Sequence, residues 1–366
     1  MGRWPRAARR AAVRTWATAA LITIGLVACG GPDPVPVPVP PAPTPTVTPT
    51  APACVTDAKL VPSCGVLWGA AAGAFSAVPR DRALKRWEAK TGRTATIFHT
   101  YHRGGDLFPS PAEIAMTEDP ARPRVLLVNW RVADGTTWAD VARGGADGRI
   151  DRWARYVRDA YGQRFFLVLN HEPEVDVDPV PGSGMTARDF AAMYRHVITR
   201  IRGDGVRHAV TVLAYMGSEK WIARSWWKDL YPGDDVVDWV GLDSYVSAEP
   251  GRYHYGGFAD LLDRQPGGGG TGFYDWAVGA HPGKPIMVAE WGVYHRVGRT
   301  ADKGPEFASV LPELVRRPAV KAIVYFDTKD DLFGDRDISV DSSPSSLAAF
   351  RRLAASPLFD VTLDGR

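Results

Sequence analysis

The sequence predicts an α/β domain of the (β/α)8, or TIM-barrel, class, and three observations carry that prediction. Eight short apolar runs recur along the chain, with helical periodicity between them. The runs are near-continuous rather than alternating, as expected of strands buried on both faces. Residues 54–366 are also the right length for one such barrel. A Gly-rich dinucleotide fingerprint is missing after the first run, so an open, doubly wound sheet loses its main support.

Strands are expected at Gly65–Gly69, Thr94–His99, Arg124–Asn129, Arg164–Asn170, Ala209–Ala214, Val236–Leu242, Lys284–Ala289 and Lys321–Phe326. Helices are expected at Arg80–Lys90, Asp147–Ala160, Thr186–Ile201, Pro305–Val315 and Ser345–Leu353, with Thr186 capping the third. Gly267–Gly270 reads as a surface loop between strands six and seven.

Residues 1–29 read as an address rather than as structure. Arg3, Arg6, Arg9, Arg10 and Arg14 precede a short apolar stretch, too short for a membrane span, that ends Leu26-Val27-Ala28-Cys29. That ending resembles a bacterial lipobox, with Cys29 as the lipidated residue and the membrane as partner through its anchor. Residues 30–53 are rich in Pro, Thr and Val and are expected to form an extended spacer. Residues 54–366 then form the folded domain, placed outside the cytoplasm, lipid-anchored or secreted. In an oxidising compartment the two remaining cysteines, Cys54 and Cys64, are expected to bridge.

Net charge excludes little by itself. Without the five arginines of the address, 39 basic side chains face 41 acidic ones, and nothing points to nucleic acid. A monomer is expected, with no metal and no cofactor.

Two of the eight runs end on a glutamate. They read Leu167-Val168-Leu169-Asn170-His171-Glu172 and Ile286-Met287-Val288-Ala289-Glu290-Trp291-Gly292. Burying a carboxylate at a strand tip is expensive, so packing does not explain it. In a barrel every strand opens on one face, where active sites sit. Two carboxylates brought together there are what cleavage of a glycosidic bond requires, one as acid/base and one as nucleophile. The same face is expected to receive His99 and His102 from strand two, Asp243-Ser244-Tyr245 from strand six and Trp291 from strand seven.

The order of these motifs resembles glycoside hydrolase family 26, best known for β-mannanases. The resemblance rests on His171-Glu172, Asp238-Trp239-Val240-Gly241-Leu242-Asp243-Ser244-Tyr245, Ala289-Glu290-Trp291-Gly292 and Tyr325-Phe326-Asp327, over about residues 65–357. It implies an endo-β-mannanase-like, retaining hydrolase with Glu172 as acid/base, Glu290 as nucleophile and Tyr245 holding the nucleophile. It also implies that His171 orients the acid or a sugar hydroxyl, that His99 or His102 contacts the sugar, and that Trp291 offers a stacking platform. The partner is then a polysaccharide.

Two departures loosen the substrate assignment. After the His-Glu pair the chain continues Pro173-Glu174-Val175-Asp176-Val177-Asp178-Pro179, acidic and without an aromatic, and Asn170 stands where the family often has arginine. Mannan specificity does not follow, and mixed-linkage glucans and xylans are equally open. A catalytically weak carbohydrate-binding barrel would be expected to lack one glutamate. A metal hydrolase built on His99, His102, His171 and Asp243 would want a His-X-His pair at the end of strand one, which instead reads Leu67-Trp68-Gly69.

Overall fold

The computed structural model describes Gly31, residues 53–267 and residues 269–364. The chain divides into Met1–Ala51 and Pro52–Arg366, and the fold described is that of the second unit. The expected address, Cys29 and nearly all of the spacer lie outside the described residues.

All eight expected strands are present. They are β1 (Leu67–Ala72), β2 (Ile97–Arg103), β3 (Val125–Arg131), β4 (Phe165–Leu169), β5 (Ala209–Tyr215), β6 (Trp239–Ser247), β7 (Ile286–Arg296) and β8 (Val320–Asp327). Each pairs in parallel with its sequence neighbours. β8 closes the ring, since Ala322 pairs with Met287 of β7 on one side and with Leu67 of β1 on the other. The result is a (β/α)8 barrel.

Alternation sorts the strand residues into two cores. Leu67, Ile97, Val125, Leu127, Phe166, Val168, Val212, Trp239, Met287 and Val324 pack inside the barrel. Trp68, Phe98, Leu126, Leu167, Leu169, Leu213, Val240 and Val288 face outward against the helices. Both faces are apolar, which is why the runs look continuous in sequence.

β6 and β7 extend well beyond the ends expected for them, to Ser247 and Arg296. Their ladder continues through Asp243↔Glu290 to Ser247↔Tyr294, and Arg336–Asp337 adds an antiparallel strand to the far end of β7. Glu290 therefore lies within an eleven-residue strand rather than at its tip.

The helix expected over Pro305–Val315 is two helices, Gly304–Ala308 and Val310–Arg316. Pro312 has no N–H to give the carbonyl four residues earlier, and its ring crowds that carbonyl, so the helix cannot run through. Thr186 caps the helix Ala187–Gly203, accepting from the Asp189 amide at 3.2 Å while Asp189 accepts from the Thr186 amide at 2.9 Å. The same reciprocal signature, Ser110 with Glu113, opens the helix Pro111–Thr117, which was not anticipated although the spacing announces it. The described glycines of the Gly267–Gly270 run lie between the helices Phe258–Asp263 and Phe273–Ala280.

The N-terminal end of the barrel is plugged by the chain entering it. Cys54 and Cys64 form a disulfide with 5.0 Å between their Cα atoms. The loop between them drives Leu60, fully buried, into the interior core beside Leu363. Lys59 tightens the plug by pairing with Asp238, and its carbonyl accepts from Trp239 Nε1 at 2.7 Å. Cys54–Val55 pairs in parallel with Val361–Thr362. Leu60→Ala should leave a cavity at the barrel floor and cost about 2–5 kcal/mol. Urea unfolding checks this: the midpoint should fall with the slope unchanged.

Candidate active site

The opposite end of the barrel gathers the chemistry, and backbone irregularities aim it. Leu242↔Val288 is followed by Asp243↔Glu290, so Ala289 is an extra residue against β6. Against β8, Val288↔Ile323 is followed by Trp291↔Tyr325, so it is extra there too. This bulge resets the alternation. Met287 and Ala289 face the interior, Glu290 follows them inward, and Trp291 turns out.

Glu290 is held by two tyrosines. Tyr245 donates its hydroxyl to Oε2 at 2.8 Å and Tyr101 donates to Oε1 at 2.7 Å. Burial and the Glu290 charge push both phenols well above their ordinary range, so both remain donors. Tyr245 can lie this close because Gly292 has no side chain. A Cβ there would meet the Tyr245 ring at 3.1 Å and Ile338 Cγ2 at 2.3 Å.

Glu172 reaches the site by a strained turn. The chain leaves β4 through Asn170 at φ 43° and Glu172 at φ 52°, left-handed conformations that cost on the order of 1–3 kcal/mol each. The turn is pinned on both sides. Asn170 donates its amide to Trp130 O and Glu172 donates its amide to Ala214 O, both at 3.0 Å. Glu174, only two residues on, is buried and accepts from the amides of Met216 and Gly217 at 3.1 Å and from Trp227 Nε1 at 3.4 Å. Its oxygens are occupied by structure, whereas Glu172 is half-buried and presented. Burial, then the charge of Glu290, pushes the Glu172 carboxyl well above the usual carboxylate range.

Asp243 is a third carboxyl in this cluster, almost fully buried, and burial followed by the Glu290 and Glu172 charges raises it strongly. His171 sits edge-on to Tyr101, ring centroids 5.8 Å apart, and burial lowers its pKa, leaving a neutral imidazole. His171, Asp243 and Glu290 offer one ligand atom each within 4.8 Å of one another, the set among the described residues that could hold a cation. Both Glu290 oxygens already accept tyrosine protons.

The remaining expected residues are sorted by strand parity. His99 points inward but is wholly buried beneath Tyr101, stacked at 4.5 Å. Burial pushes it down to about 3, so it is a neutral support for that ring rather than a group exposed to a sugar. His102, three residues on, points to the other face. It stacks on Phe108 at 4.6 Å and contacts Glu113 at 2.9 Å. Trp291, expected as a sugar platform, is buried in the outer core between Phe258, Tyr325 and Phe350. Tyr101 was missed, although it stands two residues after His99 and must share its face.

The barrel is similar in fold to solved family 26 glycoside hydrolases. A ruminal endo-β-1,4-mannanase of that family superimposes with a TM-score of 0.54 at 12% identity, covering 80% of this chain and 64% of that one. A modular endo-β-1,4-mannanase from Cellulomonas fimi gives 0.52 at 17% identity over 81% of this chain and 72% of that one. In sequence, a β-1,3-xylanase from Alcaligenes sp. is 38% identical over 70 residues, or 18% of this chain and 14% of that protein. Another, from Vibrio sp., is 36% identical over 111 residues, or 29% and 22%. These matches span less than a quarter of either xylanase. No protein-family profile matches the chain.

Two outcomes are expected from the site's packing and charge. Gly292→Ala should displace Tyr245 or Ile338 and cost about 1–3 kcal/mol, read as a lowered denaturation midpoint. The folded state holds the Asp243 proton more tightly than the unfolded chain, so stability is lost as pH rises past the ordinary value of 3.8 toward the raised one. Thermal unfolding followed from about pH 4 to about pH 8 should show that decline in wild type and a flatter profile in Asp243→Asn.

Proposed function

We propose that this chain is a retaining glycoside hydrolase acting on a β-linked polysaccharide, with Glu172 as acid/base and Glu290 as nucleophile. The observation that carries the reading is the asymmetry between two neighbouring carboxyls. Glu290 has both oxygens fixed by tyrosine hydroxyls, whereas Glu172 is kept protonated by burial and by the Glu290 charge. Environments that push two carboxyls apart define a nucleophile and an acid.

In the first step Glu290 attacks the anomeric carbon while Glu172 gives its proton to the leaving oxygen. The charge on Glu290 is then consumed in the glycosyl ester, and Glu172, now ionised, takes a proton from the incoming water. Tyr101 and Tyr245 orient the attacking oxygens, and neutral His171 lies at hand to hold Glu172 or a sugar hydroxyl. The mannanase fold and the β-1,3-xylanase matches both support a β-glycan as the substrate class. The chain further reads as an extracytoplasmic monomer, tethered by lipid at Cys29 or secreted.

Purified protein should release reducing sugar from β-1,4-mannan, β-1,3-xylan or mixed-linkage β-glucan, with the product keeping its anomeric configuration by NMR. Glu172→Ala should lose roughly 10²–10⁴ in kcat and the alkaline limb of its pH profile, which in wild type lies above the ordinary carboxylate range. Tyr101→Phe and Tyr245→Phe should each lose about tenfold or more, the worth of a hydrogen bond to a charged group. Undiminished hydrolysis by Glu290→Ala would exclude the nucleophile assignment, and binding without cleavage by wild type would favour a carbohydrate-binding barrel.

A further inference from the structure

Of eleven large apolar side chains exposed among the described residues, nine lie in loops that follow the C-terminal ends of strands. One of them, Phe75, is also under backbone strain. It is 59% exposed with φ at 58°, a conformation that a bulky side chain adopts only when its surroundings impose it.

The surroundings do impose it. Gly73 donates its amide to Asp327 O at 2.9 Å, Thr328 Oγ1 donates to Ala74 O at 2.8 Å, and Ser76 Oγ donates to Gly73 O at 2.8 Å. The turn after β1 is thus riveted to the end of β8, and strain is spent on holding an aromatic ring out in water. Apart from its contact with Phe326, packing does not call for a side chain there, and a glycine would take the same φ without steric strain.

The ring is continuous with the catalytic cluster. Phe75 lies 5.9 Å from Phe326, and Phe326 meets Tyr245 edge-on at 6.0 Å. Tyr245 in turn holds Glu290. In an eight-stranded ring β8 stands opposite β4, and β1 is its neighbour, so Phe75 and Phe326 lie across the mouth from Glu172. Glu172 protonates the leaving oxygen, which places the departing half of the chain on its own side. The half that stays on Glu290 then runs toward β8 and β1.

We propose that Phe75 is a preformed stacking platform for the glycone half of the substrate, covering the apolar face of a β-linked pyranose beyond the one Glu290 attacks. The inference rests on the glycosidase reading and adds to it a direction for the chain and a residue that grips it. A rigid ring held in place before binding loses little freedom when the sugar arrives, which is the benefit that offsets the strain.

The test compares kcat/KM on the polysaccharide that wild type cleaves best with kcat/KM on a short aryl β-glycoside of the same sugar. In Phe75→Ala and Phe75→Gly the ratio should fall about tenfold, the worth of covering a phenyl ring. Phe75→Tyr should restore it, and Phe75→Gly should melt at or above the wild-type Tm because its strain is gone. An unchanged ratio in Phe75→Ala, or an equal loss on both substrates, would overturn the platform while leaving the glycosidase intact. A wild type inert on every β-glycan would overturn the glycosidase and the platform with it.

Discussion

The bulge at Ala289 is the constraint on which the site depends. Regular alternation along β7 would have pointed Trp291 into the barrel and Glu290 into the helical shell. One extra residue reverses both. It places a carboxylate where two tyrosines can reach it, and it gives the outer core the indole that fills the space between Phe258, Tyr325 and Phe350. The direction of the carboxylate and the packing of the outer core are thereby settled by one local departure from regular pairing. Gly292 completes the arrangement by leaving room for Tyr245.

Around that carboxylate the structure concentrates negative charge rather than dispersing it. Glu172 and Asp243 share the interior with Glu290, and burial makes each ionisation harder once another has occurred. The neutral imidazoles of His99 and His171 do not relieve it by adding positive charge. The fold bears that cost at the one end of the barrel where chemistry is wanted.

Much of the architecture was legible because the physics is periodic. Apolar runs at strand length gave all eight strands, and the Thr186 cap marked a helix start. Strand parity was equally available and would have separated His99 from His102 and brought Tyr101 forward. What could not be read was aperiodic: the extra residue at Ala289 has no signature in composition, so Trp291 was expected at the sugar. The lengths of β6 and β7 were also hidden, since their far halves mix polar and aromatic residues as a loop would.

The plug at the barrel floor has a further consequence. Cys54–Val55 lies beside Val361–Thr362, so the domain's chain enters and leaves at adjacent points on the closed end. The path is close to a circle, and all eight connections over the mouth are interior to it. A loop there can lengthen, shorten or change its chemistry without shifting either point of attachment. The residues displayed at the mouth can thus change while the barrel, its floor and its fastening stay as they are.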